Sequence, residues 1–217
     1  MRAARAAGLA VAVVCAAALS GAAAGTNVPG TTYVDKTAGF RITLPKTWEL
    51  VPRSVAQVKQ VVATLKKKAS TVELADAYAE IIATAQGRSQ ITAYTLQAFE
   101  WPFVVVSTPI LTEAYVLVVK TPRAYGKNDL KAIGDEFANA LSANKGSKIV
   151  VPKEVDLPAG PAEYIIGTIP AGAVTTGIEW YLIPHGKAVY ELGFQIDSTG
   201  LGTATLFTSI AQNFRFL

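Results

Sequence analysis

Apolar positions dominate three stretches near the C-terminal end of the chain: Ala162 to Ile169, Val174 to Ile183 and Lys187 to Ile196. They are rich in Ile, Val, Tyr, Phe and Thr and are bounded by Gly and Pro clusters, the signature of strands and turns. Pro184-His185-Gly186-Lys187 is a short connection whose glycine tolerates a positive φ, so a hairpin is expected, centred on His185-Gly186. With a two-residue or a four-residue loop, the expected pairing sets Ile183 opposite Ala188, Leu182 opposite Val189, Tyr181 opposite Tyr190 and Trp180 opposite Glu191. Alternation then puts Tyr181, Tyr190, Leu192 and Phe194 on one face, and Ile178, Trp180, Leu182 and Val189 on the other. Both faces are apolar, so both need cover.

The rest of the chain supplies that cover. Thr32 to Val34 and Phe40 to Leu44 read as a hairpin around Asp35 to Gly39; Phe40, Ile42 and Leu44 alternate with Arg41 and Thr43. Trp48 and Leu50 follow on a short strand. Ser54 can cap a helix carrying Val55, Val58, Val61, Val62 and Leu65, with Lys66, Lys67 and Lys68 at the end where the dipole favours cations. Ser70 and Glu73 form a capping-box pattern for a second helix with Leu74, Tyr78, Ile81, Ile82 and Ala85, closed by Gly87. One long bent helix is the alternative. Gln90 to Ala98, Phe103 to Ser107 and Tyr115 to Lys120 read as strands. Asn128 caps a helix with Leu130, Ile133, Phe137 and Leu141 on one stripe. Lys148 to Val151 and Val155 to Leu157 lead into the central strands. Asp197-Ser198-Thr199 opens a last helix with Leu201, Ala204, Phe207, Ile210 and Ala211, and Phe214 and Phe216 finish the chain. Strands grouped with return helices, without βαβ alternation, predict an α/β (α+β) fold: an α/β/α sandwich with a mainly antiparallel central sheet flanked by helices.

The first residues change how composition is read. Arg2 and Arg5, the apolar run Leu9 to Leu19 and Ala22-Ala23-Ala24 make residues 1–24 a secretory signal peptide, too short in its apolar core to span a bilayer. Residues 25–31 then form a flexible leader and 32–217 a single domain. The chain carries 20 basic and 16 acidic side chains; loss of Arg2 and Arg5 leaves a balance of +2, which gives no support to nucleic-acid binding. The single cysteine, Cys15, leaves with the same segment, so the mature domain is expected to hold no thiol, disulfide or cysteine metal site. Lipidation at Cys15 is the competing reading, set against it by Val14 where a small residue is usual. No integral span remains after cleavage, and the expected location is the cell envelope or the extracellular space.

Candidate chemistry is sparse. No GxSxG, HExxH or GxxxxGK[ST] pattern is present. His185, the only histidine, falls at a hairpin tip, where an exposed turn residue is expected rather than a base or metal ligand. Ser198-Thr199-Gly200-Leu201-Gly202 precedes a helix but lacks the strand-fed glycine turn that a phosphate site needs. Glu179 and Glu191 could do acid–base work only as a pair. The register sends them to opposite faces, so they are placed at the sheet's rim or end. Trp48 and Trp180 read as core, whereas Trp101, in Glu100-Trp101-Pro102, can be an exposed anchor for a partner. Glu73, Asp76 and Glu80 share a helix face that reads as solvated rather than as a hard-cation site. Beside Lys59, Lys66, Lys67 and Lys68 they make a polarised surface that a protein partner could read.

Four stretches, "GFRITLPKTWELV", "LPAGPAEYIIG", "WYLIPHGKAVYELGFQI" and the terminal "IAQNFRF", resemble the PsbP/Mog-like superfamily, nearest in style to secreted actinobacterial envelope proteins of the Lpq type. The resemblance spans residues 32 to 217 and implies an α/β/α sandwich with an antiparallel sheet. It implies binding, assembly or adaptor roles and brings no catalytic residues. The resulting expectation is a secreted, non-catalytic binding or adaptor domain with a protein partner and no cofactor. The alternative is a carrier of an apolar small molecule or lipid in an internal cavity.

Overall fold

The three apolar runs lie side by side at the centre of the main sheet. The computed structural model describes residues 30–50, 59–60, 63–64, 67, 95–100, 112–171, 174–196 and 204–217. The strands are β1 Gly30–Asp35, β2 Phe40–Pro45, β3 Trp48–Leu50, β4 Leu96–Glu100, β5 Thr112–Lys120, β6 Lys148–Ile149, β7 Lys153–Leu157, β8 Gly160–Ala171, β9 Val174–His185, β10 Ala188–Ile196 and β11 Arg215–Phe216. The helices are α1 Leu130–Ser142 and α2 Ala204–Ala211. The main sheet has the order β3-β4-β5-β10-β9-β8-β6, with β7 also paired to β8. A small second sheet has the order β1-β2-β11. Every described pairing is antiparallel, so the fold is α+β with a mainly antiparallel sheet.

The central hairpin turns one residue later than the sequence suggests. Ala188 pairs with His185, Tyr190 with Ile183 and Leu192 with Tyr181, so the loop is Gly186-Lys187, with Gly186 at φ 57°. Relative to the expected pairing the register moves by two residues. A two-residue slip leaves every side chain on its own face, which is why the facial assignment of Tyr181, Tyr190, Leu192 and Phe194 holds.

Both faces are covered, by different means. On one, Ile133, Phe137 and Leu141 of α1 pack with Tyr125 on Tyr115, Ile165, Ile178, Trp180, Leu182 and Val189; this is the α1 face. On the other, the α2 face, Phe207, Ile210 and Ala211 meet Tyr181, Leu192 and Phe194. Phe40, Ile42 and Leu44 of β2 and Phe214 extend the same core. A helix and a small sheet thus share the α2 face, where the sequence suggested helices alone. The C-terminal strand makes this possible: Phe216 pairs with Phe40, and Phe214 stacks on Phe40 at 5.3 Å.

Several boundaries differ from expectation. Strand β1 starts at Gly30, inside the stretch read as leader. Asn128 does not cap α1; it lies in a 3-10 turn, Lys127–Asp129, whose Asp129 carboxylate accepts the Gly126 N–H at 2.9 Å and pairs with Arg123 at 2.5 Å. The outer strand on β8 is interrupted. Ile149 pairs with Gly167 and Lys153 with Tyr164, so Val150, Val151 and Pro152 stand opposite only Ile165 and Ile166. That extra residue is a bulge, and a bulge with a proline blunts an edge that could otherwise recruit foreign strands. The strands read at 90–94 and 103–107, most of the helical stretch from Ser54 to Gly87, and the helix start at 197–203 lie outside the described residues. Among the described residues no helix is long and apolar enough to cross a membrane.

Candidate functional site

Glu179 sits mid-strand in β9, on the α2 face, flanked in register by Ile166 of β8 and Phe194 of β10. It is 5% exposed. The sequence reading placed it at the sheet's rim; the strand instead continues for six residues past it, to His185, and so carries it into the core. Tyr164 on β8 donates a hydrogen bond to the carboxyl, while Oε2 has no partner. Burial pushes the pKa up to about 7, against the opposing effect of the Tyr164 bond. Tyr164 and Tyr181 lie with ring centroids 5.0 Å apart, and burial raises both phenols, with Glu179 adding to each shift. The Tyr181 hydroxyl reaches the Thr208 hydroxyl of α2 at 3.4 Å.

Glu191 lies on the opposite face, between Leu182 of β9 and Leu117 of β5. It is half-buried, and loss of solvent raises its pKa to about 7. The two glutamates therefore point away from each other, as the period of the strands requires. No shared cleft forms between them, and a paired acid–base mechanism is not built here.

Two further carboxyls escaped the sequence reading. Glu113 is 2% exposed and accepts from the amides of Gln97 on β4, at 3.5 Å, and Gln195 on β10. Glu163 is 3% exposed under α1, where Gly134 comes so close that a Cβ would stand 2.3 Å from the Glu163 side chain. Burial raises Glu163, and Glu154 and Asp135 raise it further. Glu154 is its register partner on β7, and Lys127 takes up that second carboxylate at 2.6 Å. A charged residue at an inward position of an apolar strand was the available signal for both.

The residues singled out from sequence fall in separate places. His185 is exposed at the hairpin tip, as expected, and stacks on Phe216 at 3.8 Å. Trp48 and Trp180 are core, 7% and 6% exposed. Lys59 and Lys67 are helical and exposed; Lys66, Lys68, Glu73, Asp76, Glu80 and Trp101 lie outside the described residues. Among the described residues no group of three or more His, Cys, Asp or Glu could hold a metal ion.

Glu191→Leu tests the energetics of this arrangement. A carboxyl raised from 4.5 to about 7 adds stability that is complete below pH 4.5 and lost as pH rises to about 7. Leucine removes that dependence, so urea midpoints should rise more at pH 8 than at pH 5. An equal shift at both would show that Glu191 is fully solvated.

No protein-family model and no curated protein matches the sequence. Solved structures do. LpqN of Mycobacterium tuberculosis, involved in cell envelope biogenesis, is 14% identical over 86% of this chain and 84% of its own, with a TM-score of 0.45. A protein of Bacteroides thetaiotaomicron is 8% identical over 87% of this chain and 48% of its own, with a TM-score of 0.48. Cyanobacterial PsbP from Synechocystis is 9% identical over 92% of this chain and 99% of its own, with a TM-score of 0.52. In fold, the chain is similar to this cyanobacterial PsbP.

Proposed function

We propose that this chain is a secreted, non-catalytic binding or adaptor domain of the cell envelope or extracellular space, with the α/β/α layering read from its sequence. The observation that carries this reading is how the α2 face is filled. Phe40, Phe194, Phe207 and Phe214 are each at most 2% exposed and stack in pairs, Phe40 on Phe214 at 5.3 Å and Phe194 on Phe207 at 4.8 Å. Among the described residues, side chains thus fill the layer where a lipid carrier would keep a cavity, which favours recognition at the outer surface. The lone histidine, held against Phe216, is poorly placed as a general base. The export signal at residues 1–24 supplies the location.

Two measurements test this. Native mass spectrometry of protein from its own host should show the bare mass; a retained lipid would establish the carrier instead. Turnover of an ester, glycoside or peptide that disappears in a single-residue variant would end the non-catalytic reading.

The docking surface we propose is the charged stretch with Lys59, Lys66, Lys67 and Lys68 beside Glu73, Asp76 and Glu80, with Trp101 as anchor. Lys59, Gln60, Ala63, Thr64 and Lys67 are all exposed and helical, the spacing of a solvent-facing stripe. Charged rims set orientation and association rate more than affinity. Changing Lys66, Lys67 and Lys68 to Glu should leave folding within about 0.5 kcal/mol and slow capture of a native partner, most at low salt. Unchanged capture by the folded variant removes this surface from the proposal.

A further inference from the structure

Glu179 is a buried acid with one oxygen unpartnered, and the binding reading makes no use of it. An unpaired polar atom inside a protein is costly, and the cost depends on its charge state. We propose that Glu179 is a proton-operated latch for α2: protonated, it lies in the closed layer between sheet and helix, and ionised, it draws water into that layer by letting α2 lift.

The surroundings determine which element moves. Strands β8, β9 and β10 are tied together by long ladders on both sides of Glu179. Helix α2 has eight residues. It is held by Phe207 stacked on Phe194, by the buried Ile210 and Ala211, and by the Tyr181 to Thr208 contact at 3.4 Å, long for a hydroxyl pair. The described groups nearest the carboxyl are the hydroxyl of Tyr164 on β8, which donates to it, and that of Tyr181 on the same face of β9, through which Thr208 of α2 is reached; Phe194 on β10 adds none. Strands β8, β9 and β10 and helix α2 contain no lysine or arginine. The exposed Lys153 of β7 lies over the Tyr164 ring at 5.3 Å and does not contribute to the state of Glu179. An ionised Glu179 thus has no described cation to pair with, and a single tyrosine hydroxyl as donor.

Linkage gives the direction and size. With α2 seated, Glu179 holds its proton to about pH 7; solvated, it returns to 4.5. Between these values each pH unit makes lifting about tenfold easier, and the total is on the order of a hundredfold or somewhat more. Above about pH 8 the effect is flat.

Hydrogen exchange on the mature protein reads this directly, with protection factors corrected for the base-catalysed intrinsic rate. Protection of the α2 amides should fall on the order of a hundredfold from pH 5 to pH 8 and then level off, and it should stay below that of the β9 and β10 amides, whose global opening also releases Glu191. Glu179→Gln should make α2 protection independent of pH, and Glu191→Gln, on the other face, should leave the slope in place. A flat profile in the wild type, the same slope in Glu179→Gln, or α2 amides as well protected as those of β9 and β10 at every pH would each overturn the latch. If Glu179→Gln does not fold, carboxyl-carbon titration of wild-type Glu179 decides the matter. A midpoint near 7 shared by the Ile210 methyl signals supports it, and an ordinary midpoint or an unmoved Ile210 refutes it.

Discussion

Replacing Gly193 by alanine is expected to destabilise the domain by about 3 kcal/mol or more. Gly193 is buried in the middle of β10, with Tyr115 of β5 and Trp180 of β9 as its register partners on the α1 face. Their rings lean over it from both sides, and Trp180 Nε1 donates to the Tyr115 hydroxyl. A Cβ at Gly193 would meet Tyr115 Cζ at 2.2 Å and Trp180 Nε1 at 2.5 Å. The far ends of both side chains must therefore move. The displacement adds strain from overpacking, separates a buried hydrogen bond and tilts Trp180 against Phe137 of α1, its ring neighbour at 5.3 Å. The intrinsic gain of alanine over glycine in a strand, below about 1 kcal/mol, is too small to compensate. Urea unfolding measures the loss. A cycle with Tyr115→Leu should show strong coupling, since a shorter side chain leaves room for the new methyl group. Additive effects, or a loss below about 1 kcal/mol, would show that the two rings rearrange freely.

Phe214→Ala should cost about 3–5 kcal/mol, the range for a large buried ring. Phe214 is 0% exposed and joins three parts of the fold at once. It follows α2, stacks on Phe40 of β2 and contacts Tyr190 of β10 at 6.2 Å. Its loss leaves a cavity between the small sheet and the main one. It also frees the two-residue strand β11, whose neighbour Leu217 donates to the Gly39 carbonyl at 3.0 Å. The variant should therefore lose exchange protection at Leu217 before β9 and β10 are affected. Phe216, half-buried under His185, should cost less when truncated. Equal losses at the two positions would mean that the terminal strand, rather than the Phe214 ring, holds this corner together.

The site was less legible than the fold. Glu179 and Glu191 were separable by parity alone, since side chains two apart share a face and these differ by an even number across a hairpin of odd pairing sum. Whether either was buried could not be read, because burial depends on what packs over the strand. Glu113 and Glu163 show the same limit. Each interrupts an apolar run, but only the glutamine amides beside Glu113 and the close approach of Gly134 over Glu163 explain how they are accommodated.

By itself the sequence determined the strands of the central hairpin, their facial division and the apolar stripe of α1, because these follow from periods of 2 and 3.6 residues along one chain. The tertiary structure decided what no period encodes. It set the turn at Gly186-Lys187, placed the bulge at Val150 to Pro152, and returned β11 to β2 across most of the chain's length. It also left Glu179 buried on the α2 face with one oxygen unpaired. These outcomes depend on contacts between residues far apart in sequence, where the closing geometry of the whole layer selects among local options that are close in energy.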